Sequence, residues 1–255
     1  MIIFREVHKR FDGKRVLQGF SLEVRDGETM VILGYSGSGK SVALKHIVGL
    51  LDPDEGEVEV DGQIVHRQTR EGLMALRSQI GFVFQFAALL DSMTVRDNLA
   101  LGLRKQRLPD NEIADRVRES LALVDLVGTE DRYPAELSGG MRKRVGLARA
   151  IALRPRYILY DEPTTGLDPV TSAVIDQLIV RAKQKLGVTG VVVTHDMRTA
   201  YTVGDRIAML YKGTVRQVGT VEDIQRTHDA AVRQFIEGRV EAAADAESSV
   251  TGAAW

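Results

Sequence analysis

The sequence predicts an α/β fold with a mainly parallel core sheet, an antiparallel β subdomain and an α-helical subdomain. Three observations predict it. The stretch "GYSGSGKSV" (34–42) lies between an apolar strand-like run and a helix-like run, and strand-like runs alternate with helix formers after Pro155. Residues 92–150 are instead mostly helix-forming. Strand–helix–strand order implies right-handed parallel crossovers.

The first 65 residues predict two antiparallel hairpins on either side of one buried strand. "IIFREV" and "RVLQGFSLEV" alternate apolar and polar residues around the turn signal "DGK". "EGEVEVDGQIV" predicts a second hairpin at an edge. "ETMVILG" is continuously apolar, as expected of a strand buried on both faces.

The rest of the chain predicts a helical insertion and then alternating elements. "IGFVFQ" predicts a strand, whose Phe82 and Phe84 we assign to local core. "LSGGMRKRVGLARAIAL" continues in helix formers, and "YILYDEP", "GVVVTHD" and "RIAMLYKGTVRQVG" predict strands, with a helix near 170–186. Apolar residues recur at helical spacing in the insertion: Ile113, Val117, Leu121, Val124 and Val127.

We therefore expect one domain over residues 1–240, with the helical subdomain inserted at about 92–150, and a flexible tail over 241–255. The 255 residues, 44% of them apolar, suffice for one sizeable core. The tail is small and polar apart from Trp255.

Composition excludes several classes of protein. Lys+Arg 34 against Asp+Glu 35 gives a net charge of -1, which implies no global attraction to nucleic acid or anionic lipid. The absence of cysteine excludes disulfides and thiolate metal sites. No apolar run reaches the roughly 18 residues that span a bilayer, and "MIIFREVHKRFDGKR" lacks the apolar region of a signal peptide. We expect a cytoplasmic protein whose membrane role comes through partners.

The stretch that opens at Gly34 fits the phosphate-binding pattern G-x-x-x-x-G-K-[ST]. Its backbone N–H groups and the following helix N-terminus attract phosphate, Lys40 adds a point charge, and Ser41 offers an oxygen ligand to Mg²⁺. This pattern leaves kinase, GTPase and ATPase open. The candidate nucleotide-binding residues are Gly34, Ser36, Gly37, Ser38, Gly39, Lys40, Ser41 and Val42.

The stretch "YILYDEP" places two carboxylates, Asp161 and Glu162, at the end of an apolar strand. Adjacent residues at a strand end point to different sides, so Asp161 is placed to hold Mg²⁺ while Glu162 faces a γ-phosphate as a base for water. Taken alone, such a pair is more often a solvated turn.

"LSGGM" predicts a second phosphate site about 100 residues after the first. Ser138 is a candidate helix N-cap, and the backbone of Gly139 and Gly140 permits a ligand to approach the helix start. Four basic residues follow, and at their spacing we predict a solvated helix face rather than a nucleic-acid site: Arg142, Lys143, Arg144 and Arg149.

In this order the motifs resemble those of the nucleotide-binding subunits of ABC transporters, over about residues 2–237. "GYSGSGKS" is similar to the Walker A loop, "YILYDE" to Walker B, and "LSGGM" to the signature LSGGQ, with Met141 in place of glutamine. The resemblance implies a P-loop NTPase of the ABC type that uses ATP and Mg²⁺. It also adds four residues: Phe11 stacking on adenine, Gln85 contacting Mg²⁺ and water, Asp168 in the D-loop, and His195 as the switch histidine.

The resemblance further implies a homodimer with head-to-tail subunits and ATP sandwiched between them. Ser138, Gly139 and Gly140 then bind phosphate of the partner's nucleotide. The implied catalytic residues are Glu162, His195, Lys40 and Gln85, and the implied Mg²⁺ ligands are Ser41, Gln85 and Asp161. Apolar residues from Phe86 to Met93 are then expected to receive a short helix of a membrane subunit.

Finer details resemble the MlaF-type branch, which energises phospholipid transport between bacterial inner and outer membranes. Val42, Met141 and the segment "VRQFIEG" (232–238) are similar to residues typical of that branch. This implies a protein on the cytoplasmic face of the inner membrane, with an MlaE-type permease, an MCE-domain protein and often a STAS-domain protein as partners, and no nucleic acid. Past "RQFIEG" the tail departs from the branch.

Three other hypotheses remain open. The cargo of the transporter is an amino acid, a peptide or a drug; the chain is a soluble ABC protein acting on nucleic acid or ribosomes; or it is a scaffold that binds ATP without hydrolysing it. One P-loop and no sustained heptads disfavour the second, and intact Glu162 and His195 disfavour the third.

Overall fold

The structure, a computed structural model, describes residues 1–239. Within them lie ten strands and nine α-helices. In chain order these are β1 (Ile2–Phe11), β2 (Lys14–Val24), β3 (Thr29–Leu33), α1 (Lys40–Ile47), β4 (Glu55–Val60), β5 (Gln63–Ile64), α2 (Arg70–Ser78), β6 (Ile80–Val83), α3 (Val95–Lys105), α4 (Asp110–Leu123), α5 (Gly139–Ala152), β7 (Tyr157–Asp161), α6 (Pro169–Leu186), β8 (Thr189–Thr194), α7 (Met197–Val203), β9 (Arg206–Tyr211), β10 (Thr214–Gly219), α8 (Val221–Gln225) and α9 (Ala230–Ile236). The predicted tail at 241–255 lies outside the described residues.

The central sheet has the strand order β10-β9-β3-β8-β7-β6, in which only β10 runs antiparallel to its neighbour. All five residues of β3 are buried, as the continuous apolar run predicts. Leu33 pairs with Thr194, and Asp161 pairs with Val193. The carboxyl ends of β3, β8 and β7 therefore meet at one edge of the sheet.

The second sheet is antiparallel, with the order β2-β1-β4-β5, and confirms both predicted hairpins. Helix α1 lies between the two sheets. Its Leu44 and Ile47 are fully buried in one cluster with Phe4 and Phe20 of the antiparallel sheet and Ile32 of the central sheet. Apolar burial on both sides thus fixes the helix that follows the phosphate loop.

Helices α3, α4 and α5 form the predicted helical block, which packs on the other face of the central sheet. The helical periodicity correctly places Val117 and Leu121 in the core, but it is wrong for Val127, which is 69% exposed. The cause is local: α4 ends at Leu123. Asp125 then adopts a positive φ of 56°, so the chain leaves the helical path.

Asp176 of α6 is buried against α7 and is 1% exposed. Thr199 of α7 hydrogen-bonds its carboxylate, while Oδ1 has no partner. The Thr199 hydroxyl also lies 3.1 Å from that of Thr164, which follows β7. Burial raises the pKa of Asp176 to about 6.

Replacing this carboxylate is expected to change how stability depends on pH. A pKa raised in the folded state means that the contribution of Asp176 to stability is fully present below its unfolded pKa near 3.8 and is lost as pH rises through about 6. Asp176→Asn should therefore exceed wild type in free energy of unfolding by about 1–3 kcal/mol at pH 8, with the gain shrinking toward pH 4. Urea denaturation across this range measures it.

The matched control is Asp115→Asn, which removes an exposed helical carboxylate from α4. We expect it to change stability by less than about 1 kcal/mol at either pH. An equal gain for Asp176→Asn at pH 4 and pH 8 would show that ionisation of Asp176 has no part in the effect.

Candidate functional site

The loop that follows β3 is shaped by its glycines. Gly37 and Gly39 adopt positive φ values of 78° and 106°, a region that favours glycine. A Cβ on Gly34 would lie 2.5 Å from the backbone oxygen of Leu210 in β9. The predicted phosphate loop therefore needs glycine for backbone conformation at two positions and for close approach at a third.

Lys40 begins α1 and is 5% exposed. Its Nζ donates hydrogen bonds to the carbonyl oxygens of Gly34 and Tyr35 at 2.9 and 3.0 Å, and lies 3.2 Å from Oε1 of Glu162. A buried ammonium held by the loop at a helix N-terminus concentrates positive charge where a phosphate would be bound.

Ser41 and Asp161 are brought together from α1 and the end of β7. The Ser41 hydroxyl donates to Oδ1 of Asp161 at 2.6 Å. Within residues 1–239 no group of three or more His, Cys, Asp or Glu side chains is placed to hold a metal. A hydroxyl and one carboxylate nevertheless suit Mg²⁺, which keeps several waters and takes its other oxygens from phosphates.

Glu162 follows β7 with a positive φ of 48° and is 8% exposed. Its Oε2 accepts a hydrogen bond from the Thr165 hydroxyl at 3.0 Å and lies 2.9 Å from Nδ1 of the half-exposed His195. Its other oxygen faces Lys40. Three side chains thus hold one carboxylate in an uncommon backbone conformation, which is typical of a functional site.

One cavity of about 470 Å³ collects most of the predicted residues. From the predicted set it is lined by Ser36, Gly37, Gly39, Lys40, Ser41, Val42, Gln85, Glu162 and His195. Val16 and Thr165 also line it and were missed. The hydroxyl of Thr165, three residues after Glu162 in "DEPTT", was the available signal.

Eight predicted residues do not line this cavity, and four of them lie in or near the phosphate loop or on β1 and β7. Ser38 lines a neighbouring cavity of about 720 Å³ with Tyr35 and Phe235, whose rings are 4.7 Å apart. Phe11 is exposed at the end of β1, with Nζ of Lys9 5.6 Å from its ring centre. Its stacking on adenine stays a prediction. Gly34 and Asp161 instead support lining residues, through Lys40 and Ser41.

The second predicted phosphate site lies in a separate cavity of about 480 Å³. Ser138 caps α5, as predicted, by accepting a hydrogen bond from the Met141 N–H at 3.2 Å. Asp168 lines the same cavity and caps α6, accepting from Val170 N–H at 2.9 Å. In one chain, therefore, the signature motif and the phosphate loop do not face a common space.

The basic residues of α5 correct the prediction of a solvated helix face. Only Arg142 is exposed; the other three are at least partly buried, and burial lowers the pKa of Arg149 and lowers that of Lys143 to about 8. All four side chains donate to backbone carbonyls of loops: Arg142 to Leu137, Lys143 to Pro163 and Thr165, Arg144 to Val124 and Asp125, and Arg149 to Ala87 and Ala88.

The loop after β6 carries Gln85 and exposes apolar side chains. Ala87 and Ala88 both have positive φ, 60° and 47°, and the guanidinium of Arg149 holds their two carbonyls. Phe86 is 86% exposed. Phe84 is 41% exposed, so its assignment to the core is wrong; its ring stacks 4.4 Å from that of the half-buried Phe82.

Comparison with known proteins gives one family. The model of the ABC transporter family matches residues 17–165, more than half of the chain. A solved structure, a dimeric ATP-binding cassette in a post-hydrolysis state bound to ADP and phosphate, is 35% identical with a TM-score of 0.79, covering 87% of this chain and 99% of that one.

In the residues described here, no helix combines the length and apolar character needed to cross a membrane.

Three curated relatives differ in the cargo that their names give. "Probable ribonucleotide transport ATP-binding protein mkl" of Mycobacterium tuberculosis is 42% identical over 91% of this chain, which spans 65% of that protein's length. "Methionine import ATP-binding protein MetN" of Carboxydothermus hydrogenoformans is 44% identical over 88% of this chain and 67% of its own. The chloroplastic "Protein TRIGALACTOSYLDIACYLGLYCEROL 3" of Arabidopsis thaliana is 38% identical over 94% of this chain and 74% of its own.

A methyl group on Gly34 is expected to disturb the phosphate loop. Its Cβ would meet the Leu210 backbone, which has no side-chain freedom to move away. We expect Gly34→Ala to lower the free energy of unfolding by about 1–3 kcal/mol. The control for stability is Gly139→Ala, because a Cβ there meets no atom within 4 Å. Urea denaturation compares the two, and equal stability would contradict the predicted clash.

Proposed function

The chain belongs to the ABC transporter family, whose ATP-binding domains are ATPases, and from this we propose that it is the ATP-hydrolysing motor subunit of a membrane transporter that moves phospholipids between the inner and outer membranes of a bacterium. The observation that carries the ATPase part is the position of Glu162, between Lys40 and His195 in one cavity with the phosphate loop.

We propose that the triphosphate of ATP lies along the loop from Gly34 to Ser41. Lys40 is already placed there with its ammonium buried. Ser41, Asp161 and Gln85 are the residues that would hold Mg²⁺, which when bound neutralises charge on the β- and γ-phosphates. The short contact between Ser41 and Asp161 supports this assignment.

Glu162 is then the base that orients the attacking water and takes its proton. The hydrogen bond from Thr165 and the contact with His195 hold one of its oxygens, so the carboxylate is positioned before substrate binds. The half-exposed ring of His195 leaves its second nitrogen able to contact the γ-phosphate.

A homodimer would complete the site. The signature cavity with Ser138, Gly139, Gly140 and Asp168 is separate from the phosphate-loop cavity, so one chain presents two half-sites. Val170 and Val174 of α6 line the signature cavity and are 75% and 36% exposed, an apolar surface suited to an interface. The dimeric state of the solved relative supports pairing of two chains, and we propose that they pair head to tail around ATP.

The loop with Gln85 is the surface we propose for the membrane permease. Phe84, Phe86 and Leu90 expose apolar area beside a residue of the nucleotide cavity, so a helix docked there would touch both. Such docking would place the chain on the cytoplasmic face of the inner membrane, with an MlaE-type permease, an MCE-domain protein and a STAS-domain protein as the proposed partners.

Lipid cargo is supported by the plant relative, whose name contains a galactolipid, and the choice of phospholipid rests on Val42 and Met141, which resemble the MlaF-type branch. The alternative is another cargo, such as an amino acid, which the methionine importer's identity of 44% favours. Proteins with different named cargoes are about equally similar, so the permease decides between them.

Replacing the proposed base is expected to separate binding from hydrolysis. Glu162→Gln should bind ATP, lower the hydrolysis rate by at least about 100-fold and accumulate an ATP-bound dimer in size-exclusion chromatography. Lys40→Ala should lose ATP binding, because the buried ammonium is removed. Glu119→Gln, at an exposed glutamate of α4, is the control. A wild-type rate in Glu162→Gln would exclude Glu162 as the base.

Purification from native membranes with mass spectrometry identifies the partners. We expect an MlaE-like permease and an MCE-domain protein at stoichiometric amounts; a permease of another class would overturn the lipid assignment. Phe86→Ala should lose most of the permease while ATP binding stays unchanged. The matched control, Val127→Ala, also removes an exposed apolar side chain and should retain the permease.

A further inference from the structure

Lys143 of α5 reaches the chain segment that follows Glu162. Its Nζ donates hydrogen bonds to the carbonyl oxygens of Pro163 at 2.9 Å and Thr165 at 2.7 Å. Burial lowers its pKa to about 8, against the opposing effect of Glu162. Removing the Lys143 amine from water has an unfavourable free energy of desolvation, which its two hydrogen bonds offset.

The segment that Lys143 holds is in turn bonded to the carboxylate. The Thr165 hydroxyl donates to Oε2 of Glu162 at 3.0 Å, and the Thr165 N–H donates to the Glu162 carbonyl at 3.3 Å. Glu162 itself has a positive φ of 48°. A non-glycine residue keeps such a conformation only where its surroundings fix it, and Lys143 fixes this turn from outside.

We propose that Lys143 is a positioning residue, which sets the orientation of Glu162 through the Pro163–Thr165 turn and thereby couples that carboxylate to α5. The proposal rests on the proposed function, in which Glu162 is the base. Helix α5 begins at the signature motif. In the proposed dimer that motif faces the partner's ATP, so Lys143 connects the nucleotide of one copy to the base that acts on the other nucleotide.

The first test compares side chains at this position in the full chain, assayed with its membrane partner. Lys143→Met removes the donors and keeps the length. We expect kcat to fall about 10- to 100-fold, ATP affinity to stay within about twofold, and the Hill coefficient for ATP to fall toward 1. Lys143→Arg, which keeps a cationic donor, should restore most of kcat and of the cooperativity.

Arg77→Met is the matched control. Arg77 also donates to two backbone carbonyls, those of Val48 and Gly49 at 2.8 and 2.9 Å, but these lie at the far end of α1. Its kcat and Hill coefficient should stay within about twofold of wild type. If Lys143→Met does not fold, Lys143→Gln takes its place with the same expected direction, because its uncharged amide lies one atom nearer the backbone than Nζ and cannot reproduce both hydrogen bonds.

A double mutant shows whether Lys143 acts through Glu162. If it does, adding Lys143→Met to Glu162→Gln should lower the residual single-turnover rate by less than about twofold, because the group being positioned is gone. An equal loss in both backgrounds, or an unchanged kcat and Hill coefficient in Lys143→Met, would overturn the proposal. Failure of the proposed function is distinct, since Glu162→Gln alone would then hydrolyse at the wild-type rate.

Discussion

The register of three parallel strands is the constraint on which the site depends. Pairing of Leu33 with Thr194 and of Asp161 with Val193 brings the ends of β3, β8 and β7 to one level. Two backbone hydrogen bonds continue the pairing beyond the strands. The Gly34 N–H donates to the Thr194 carbonyl, and the Glu162 N–H donates to the Val193 carbonyl. A slip of one residue would turn every side chain of a strand to the opposite face, and would separate Glu162 from Lys40 and His195.

Local patterns predicted the parts of the site that are local. The spacing from Gly34 to Ser41, the capping role of Ser138 and the pair at Asp161 and Glu162 all lie within single turns or strand ends, where sequence and geometry are directly linked. Periodicity failed at Val127 because it cannot sense where a helix ends. It also gave no warning of the short helices α2, α7, α8 and α9, which have at most nine residues each.

The roles of Lys143, Arg144 and Arg149 of α5 could not be predicted in this way, because their partners are distant in sequence. Lys143 binds carbonyls 20 and 22 residues later, and Arg149 binds carbonyls 61 and 62 residues earlier. These carbonyls belong to loops, where no neighbouring strand supplies a backbone N–H. Because they are partly buried, they need hydrogen-bond donors from side chains. A pattern of charges that is typical of a solvated face therefore describes, in this fold, a helix whose side chains hold the Pro163–Thr165 turn and the Gln85 loop.

The proposed function accounts for the observation that relatives named for different cargoes are about equally similar to the chain. Both cavities that we propose as nucleotide half-sites are lined by motif residues, and the surface proposed for the permease is a short apolar loop joined to α5 through Arg149. The proposed motor would need to transmit movement to its membrane partner, and no step of ATP hydrolysis requires contact with cargo. On the proposed function, identity to the methionine importer and to the lipid-named plant protein measures the shared ATPase, and cargo choice would belong to the permease that we propose docks on the Gln85 loop.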